Sequence, residues 1–336
     1  MKRYCPHIAL LILCLVMKPA FAQDVHFSQY YLSPLTLNPA NTGNFKGDYR
    51  FFGNYRNQWK DISNAYNTFS AGGDFNIYPH NLNFSGGLMV LNDKSGGNLR
   101  VTKITPSVGF HKKLSGFSLH AGLQPGIVLQ SLNLNANSFP DQMNWDRGVF
   151  DNTLPNGEPG APSFVYFDLN TGISGSRRFG KFEPELGFAI FHLNHPKQSF
   201  LSTENRLPAR QALNMGLSYY LTESVIFKLY SLYGYTRNVN DWVSGLNIEY
   251  VFSKDAFFSN SVFAGFMWRD GFKRNPDAGI VTAGFNYSHY TVGFSYDITF
   301  SQLKTSVNSK GAYEIAFIYR AKSTRLTKKI IPCERY

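Results

Sequence analysis

Thr68-Phe69-Ser70-Ala71-Gly72-Gly73-Asp74-Phe75-Asn76-Ile77 alternates in character along its length. Phe69, Ala71, Gly73, Phe75 and Ile77 are apolar or small, while Thr68, Ser70, Asp74 and Asn76 are polar. A period of two belongs to a β-strand whose two faces meet different surroundings. The same comb returns in Phe117, Leu119, Ala121, Leu123, Ile127 and Leu129 against Ser118, His120, Gln124 and Gln130. A one-residue slip would exchange the faces, so register is strongly specified. From Asp48 to Gln130 the alternation comes in runs of about ten residues, the length at which a tilted strand crosses an outer membrane. These runs predict an all-β fold, a transmembrane antiparallel barrel with one face to lipid and the other to a wet interior.

The start of the chain agrees with export. Lys2 and Arg3 precede an apolar run from Ile8 to Met17, and Ala20-Phe21-Ala22 supplies a small-x-small cleavage site. Residues 1–22 therefore read as a signal peptide. Its removal leaves 314 of the 336 residues (336 − 22) and lowers the formal charge from +11 to +8, by loss of Lys2, Arg3 and Lys18. Cys5 and Cys14 leave with it, so Cys333 remains alone and an intramolecular disulfide is excluded. No later segment is an uninterrupted apolar run of transmembrane-helix length. The aromatic share of 16% and the mean hydropathy of −0.24 fit a barrel whose strands are half polar. Export and the absence of a nucleic-acid motif turn the basic excess toward anionic outer-membrane lipid or an acidic protein, with no nucleic acid as partner.

About fourteen strands follow from the two-residue period, an even number that returns both termini to one side, the periplasm. Their cores lie near 48–57, 67–77, 82–92, 99–112, 117–130, 163–177, 185–193, 210–222, 225–236, 242–252, 261–269, 279–288, 291–300 and 312–320. Connections alternate between short turns, such as Leu114-Ser115-Gly116 and Ser288-His289, and longer stretches rich in Asn, Asp, Gly, Ser and Pro, such as Ser131 to Pro162. The exception is Arg237 to Asp241, shorter than Ser253 to Asn260. The barrel thus occupies 47–320. Residues 23–46 are too rich in Phe27, Tyr30, Tyr31, Leu32, Leu35 and Leu37 for a solvated tail, and are expected to pack at the periplasmic mouth or in the lumen. Residues 321–336 form a basic periplasmic tail, in which Lys328, Lys329 and Cys333 are candidate partner contacts.

Arg50, Asn54 and Arg56 share one face of the first strand, opposite Tyr49, Phe51 and Tyr55. A row of charge facing lipid is costly, so this face is luminal. A solvated wall with ion pairs to Asp74 is the expectation; an anchor for the N-terminal segment or a substrate domain is the alternative. Arg56 and Trp59 stand out as candidate structural or docking residues.

The text from Asp24 to Leu35, continuing as Leu37-Asn38-Pro39-Ala40, resembles the opening of the PorP/SprF family of the type IX secretion system of Bacteroidetes. Tyr55-Arg56-Asn57-Gln58-Trp59, Asn92-Asp93-Lys94, Tyr296-Asp297 and Tyr313-Glu314-Ile315 extend the resemblance in order along the mature chain. Asp24-Val25-His26 and Asn41 depart from the family pattern, and Cys333-Glu334-Arg335-Tyr336 looks like a variant of a Cys-Pro-Arg-aromatic ending. The resemblance makes Asn38 and Pro39 candidate site residues. It implies a non-enzymatic outer-membrane barrel that assists export and surface attachment of secreted proteins, such as gliding adhesins, through their C-terminal domains. It also implies links to periplasmic secretion-ring lipoproteins or a peptidoglycan-associated adaptor. A passive porin or small-solute transporter is the rival, since both share the strand pattern.

A barrel hydrolase is disfavoured: there is no Gly-x-Ser-x-Gly elbow, and no His-Ser pair stands on one strand face at a convincing spacing. His111 and His120 flank a turn, where head-group or loop hydrogen bonding is expected. His192 and His195 are three apart on strand or loop and without a nearby carboxylate pattern, so no metal is expected. Asp93-Lys94-Ser95-Gly96-Gly97 lacks the order of a phosphate loop and reads as a hairpin. No catalytic residue and no cofactor is expected.

Overall fold

The computed structural model describes residues 26–58, 65–77, 83–133, 138–151, 153–155, 157, 162–200, 204–237, 239–254, 258–270, 276–300 and 310–321. The strands are β1 (Tyr49–Gln58), β2 (Tyr66–Ile77), β3 (Asn83–Ser95), β4 (Leu99–Leu114), β5 (Phe117–Leu132), β6 (Met143–Asn144), β7 (Val149–Phe150) and β8 (Ser163–Arg177). They continue as β9 (Phe182–Phe191), β10 (Arg210–Tyr220), β11 (Val225–Thr236), β12 (Val239–Lys254), β13 (Ser259–Asp270), β14 (Ala278–Tyr287), β15 (Tyr290–Thr299) and β16 (Lys310–Arg320). All but β6 and β7 join a closed antiparallel barrel of fourteen strands, each beside its neighbour in sequence, with β1 pairing β16 to close the ring. The small β6–β7 hairpin stands in the longest connection, beyond β5. No helix among the described residues is long and apolar enough to cross a membrane.

The comb explains the wall. In β1 Arg50, Phe52, Asn54 and Arg56 are buried while Tyr49, Phe51 and Tyr55 are exposed. In β5 Gly122, Gln124, Val128 and Gln130 turn inward, and Leu123, Ile127 and Leu129 turn out. The outward residues form the apolar band that lipid requires. One end of the barrel carries turns, among them Leu114–Phe117, where Ser115 and Gly116 take positive φ of 40° and 89°. Two consecutive positive φ values twist with the strands and let a two-residue loop close the hairpin. The chain enters β1 and leaves β16 at this same end. The other end carries most of the long connections. The exception predicted around Arg237 stands, and is sharper, because β12 begins at Val239.

The interior differs from the wet one expected from alternation alone. Residues 26–46 run through it as short turns, Tyr30–Leu32, Pro34–Leu37 and Pro39–Asn41. This segment bonds to β2 through Asp74, β5 through Gln124, β10 through Asn214 and β15 through Asp297. Only a segment enclosed by the ring can reach walls so widely spaced around it. Two apolar clusters hold its flanks. Tyr30 packs with Phe191, Leu232, Met267 and Ile280, and Leu32 and Leu35 pack with Phe52, Met89 and Phe263. Wall glycines make room: a Cβ on Gly122 would lie 2.1 Å from the carbonyl oxygen of Pro39, and one on Gly172 would lie 2.0 Å from Asn38 Oδ1.

Leu123 sits at mid-strand in β5, facing outward between the inward Gly122 and Gln124. Leu123→Arg should therefore cost about 2–4 kcal/mol of stability in a bilayer, the cost of a cation near the midplane of such barrels. Denaturant unfolding in lipid vesicles measures it; an unchanged midpoint would place this face away from lipid.

Candidate functional site

The inward row of β1 is the strip to which the N-terminal segment is bound. Residues 50, 54 and 56 alternate onto one face, and each meets a different part of that segment. Arg56 Nη1 donates to Ser28 Oγ at 2.7 Å, Asn54 Nδ2 to Leu32 O at 3.4 Å, and Arg50 Nη2 to Asn41 O at 2.9 Å. The strip keeps the expected ion pair to Asp74, but all three side chains are buried, so it is not a solvated wall and instead takes the alternative role of anchor for the N-terminal segment.

At the first anchor, Arg56 (β1), Arg269 (β13), Asp297 (β15) and Glu314 (β16) surround Ser28. Arg56 Nη2 and Arg269 Nη2 each lie 2.9 Å from Asp297 Oδ2, and Arg56 Nη1 also donates to Glu314 Oε1. Ser28 Oγ donates to Asp297 at 2.8 Å and accepts from both guanidiniums, which fills its hydrogen-bonding capacity. Consecutive backbone amides of Ser28 and Gln29 donate to the two Glu314 carboxylate oxygens at 2.6 and 2.9 Å. Two cations and two carboxylates thus neutralise one another in a buried site, to which the segment adds two peptide amides and a hydroxyl, and Arg269 Nη1 also faces Asp277 at 3.5 Å. His26 stands beside it. Burial, with the nearby Arg269 and Arg56 guanidiniums, holds its imidazole well below the usual pKa.

At the second anchor Arg50 grips Asp74 through two hydrogen bonds, Nε to Oδ1 at 2.9 Å and Nη2 to Oδ2 at 2.6 Å. The Gly43 amide donates to Asp74 Oδ2 at 2.7 Å, and the Phe45 ring lies 4.6 Å from the Arg50 guanidinium carbon. Between the anchors Tyr31 stacks on Tyr230 at 4.3 Å and accepts from Asn247 Nδ2. Asn38 caps the turn after it by accepting from the Ala40 amide, while its Nδ2 donates to Ile173 O and Asn214 Oδ1. Pro39 begins that turn and touches the wall at Gly122.

Of the residues singled out in the sequence, Asn38, Pro39 and Arg56 all lie in the lumen but are not brought together: Arg56 holds Ser28, whereas Asn38 and Pro39 lie against β5, β8 and β10. Trp59, Lys328, Lys329 and Cys333 lie outside the described residues, as does all of 321–336 beyond Ala321. Sequence reading missed Asp297, Glu314, Arg269 and Ser28 as one cluster, because they lie up to 286 positions apart. His111 and His120 bond to luminal side chains, not to head groups or a loop as expected, and His192 has a carboxylate neighbour that its sequence surroundings do not show. Ser85 Oγ, on β3, donates to Thr42 O and contacts His111 Nε2 of β4 at 2.9 Å. His111 Nδ1 in turn lies 2.6 Å from His120 Nδ1 of β5. A Ser-His pair therefore does exist, formed across strands, where spacing within one strand gives no signal. It is a latch on the segment, with Ser85 buried under Thr42. His192 likewise has a carboxylate neighbour, Asp168 Oδ1 at 2.8 Å. Among the described residues no group of three or more His, Cys, Asp or Glu could hold a metal.

The family model described as type IX secretion system membrane protein PorP/SprF matches residues 20–319, nearly the whole barrel with its plug. The chain belongs to the PorP/SprF family. No curated protein matches it. Among solved structures this PorP/SprF chain is similar to the CymD monoaromatic hydrocarbon channel, with TM-score 0.50 and 10% identity over 87% of this chain and 93% of that one. It is also similar to the Ralstonia pickettii toluene transporter TbuX, with TM-score 0.48 and 11% identity over 86% and 93% of the two chains. At 10% identity the likeness to CymD is one of fold alone, a β-barrel. It carries no substrate to this family member.

Removing Arg56 would leave two buried carboxylates facing one remaining guanidinium. Arg56→Met should destabilise the docked segment by about 3–5 kcal/mol, the usual cost of breaking a buried ion pair from one side. Limited proteolysis should then cut within 26–46 while the barrel stays resistant; equal protection in both proteins would contradict the anchor.

Proposed function

We propose that this PorP/SprF member is a non-enzymatic component of type IX secretion that holds a secreted protein at the cell surface. In this reading both termini and the tight turns face the periplasm, and the long connections face outward. The outward end engages the C-terminal domain of a secreted protein such as a gliding adhesin. The periplasmic end, with the basic tail after Ala321, engages the secretion-ring lipoproteins or a peptidoglycan-associated adaptor.

The observation that carries the reading is the filled lumen in a chain of this family. A passive porin needs an aqueous path, whereas here the inward faces of the strands are occupied by residues 26–46, fixed by buried charge at both ends. A segment so fixed suits a platform with two faces better than a conduit. The tail supports the second contact through its composition: Lys322, Arg325, Lys328, Lys329 and Arg335 are opposed only by Glu334, with Ile330, Ile331 and Pro332 as apolar points.

Truncation after Ala321 tests it. The shortened protein should remain a heat-modifiable barrel in the outer membrane, yet display of the secreted partner on intact cells should fall several-fold, as surface labelling would measure. Undiminished display would remove the tail from the mechanism.

A further inference from the structure

Below the plug, at the end where β1 begins and β16 finishes, the lumen keeps a cavity of about 320 Å³. Its walls come from strand ends, Ser259 of β13, Asn286 of β14, Thr291 of β15 and Arg320 of β16, and its roof from Tyr31, Leu32 and Phe45 of the plug. Three cations line it: Arg50, Lys228 and Arg320. Arg50 is matched by Asp74, and Lys228 Nζ lies 2.5 Å from Glu249 Oε2. Arg320 is different. Among the described residues no carboxylate pairs with it; its Nη2 donates to Thr291 Oγ1 at 3.0 Å, and its Nε is shielded from solvent with no partner. Glu249 does not supply the missing charge, because its oxygens are taken by Lys228, Ser261 and Asn286.

We infer that this cavity is a binding site for a single carboxylate carried on an acidic peptide segment, received by the Arg320 guanidinium. The terminal N–H groups of a planar guanidinium match a carboxylate in geometry and charge. Among the described residues only one cation of this cavity is unmatched, and the nearby Glu249 opposes a dianion, so a carboxylate fits better than a phosphate. The stacked Tyr31 and Tyr230 rings, with Leu32 and Ile318, give the neighbouring residue of the peptide an apolar wall. With the turns facing the periplasm, as proposed above, the peptide belongs to a periplasmic partner. The site's chemistry does not rest on that orientation, and neither does its test.

The test is calorimetric titration of the full mature chain in detergent at low ionic strength with two capped tetrapeptides, Gly-Phe-Asp-Gly and Gly-Phe-Asn-Gly. The aspartyl peptide should bind at least about tenfold more tightly, since a hydrogen-bonded charge contact is lost in the other. Arg320→Gln should erase that difference while the protein stays heat-modifiable. Comparing the two peptides on the unaltered protein keeps the test independent of how the variant folds. Equal affinity for both peptides, no binding of either, or tighter binding of inorganic phosphate than of the aspartyl peptide would overturn the assignment.

Discussion

Two guanidiniums and two carboxylates, buried together around one serine hydroxyl, are the constraint on which this lumen depends. Isolated charges inside a barrel would require water beside them, because removing an ion from water costs several kcal/mol even after relaxation. Arg56, Arg269, Asp297 and Glu314 meet that requirement by neutralising one another and by sharing further polar contacts with Ser28 and Gln29 of the segment and with Gln58 and Asp277 of the wall. The plug is therefore part of the charge set. Without Ser28 and its neighbouring amides, Glu314 would lose two donors and Asp297 one. The same logic recurs at Asp74, whose carboxylate is shared between Arg50 and the Gly43 amide. Both anchors use β1, which couples the plug to the strand that closes the ring.

This coupling separates the two ends of the molecule. On one side of the plug lie the long connections and the β6–β7 hairpin, where Trp145 is 82% exposed. On the other lie the turns, the vestibule under Tyr31 and Tyr230, and the exit of the chain at Ala321. A plug fixed at several points lets the two ends present unrelated surfaces without sharing an aqueous path.

Much of the wall was legible in the sequence. Strand runs such as 163–177 and 225–236 coincide with β8 and β11, because a period of two is imposed residue by residue by the contrast between lipid and lumen. The content of the lumen was less legible. The aromatic character of Phe27 to Leu37 excluded a solvated tail, yet left mouth and interior open. The decisive signal lay in residues that break the comb inward: Phe52, Met89, Leu232, Met267 and Ile280 are apolar where a watery lumen would favour polar ones. Cross-strand groups such as Ser85-His111-His120 had no signal at all, since closure of the ring and strand stagger decide which side chains meet. Glycines 122 and 172 read as ordinary strand glycines until Pro39 and Asn38 are seen against them.

The central claim is that residues 26–46 fill the barrel, and ionic conductance tests it most directly. Full-length mature protein in planar bilayers should pass current no greater than the bare membrane does. A heat-modifiable variant lacking residues 24–46 should open stable, step-like channels. A large steady conductance of the intact protein, unchanged by the deletion, would contradict a plugged lumen.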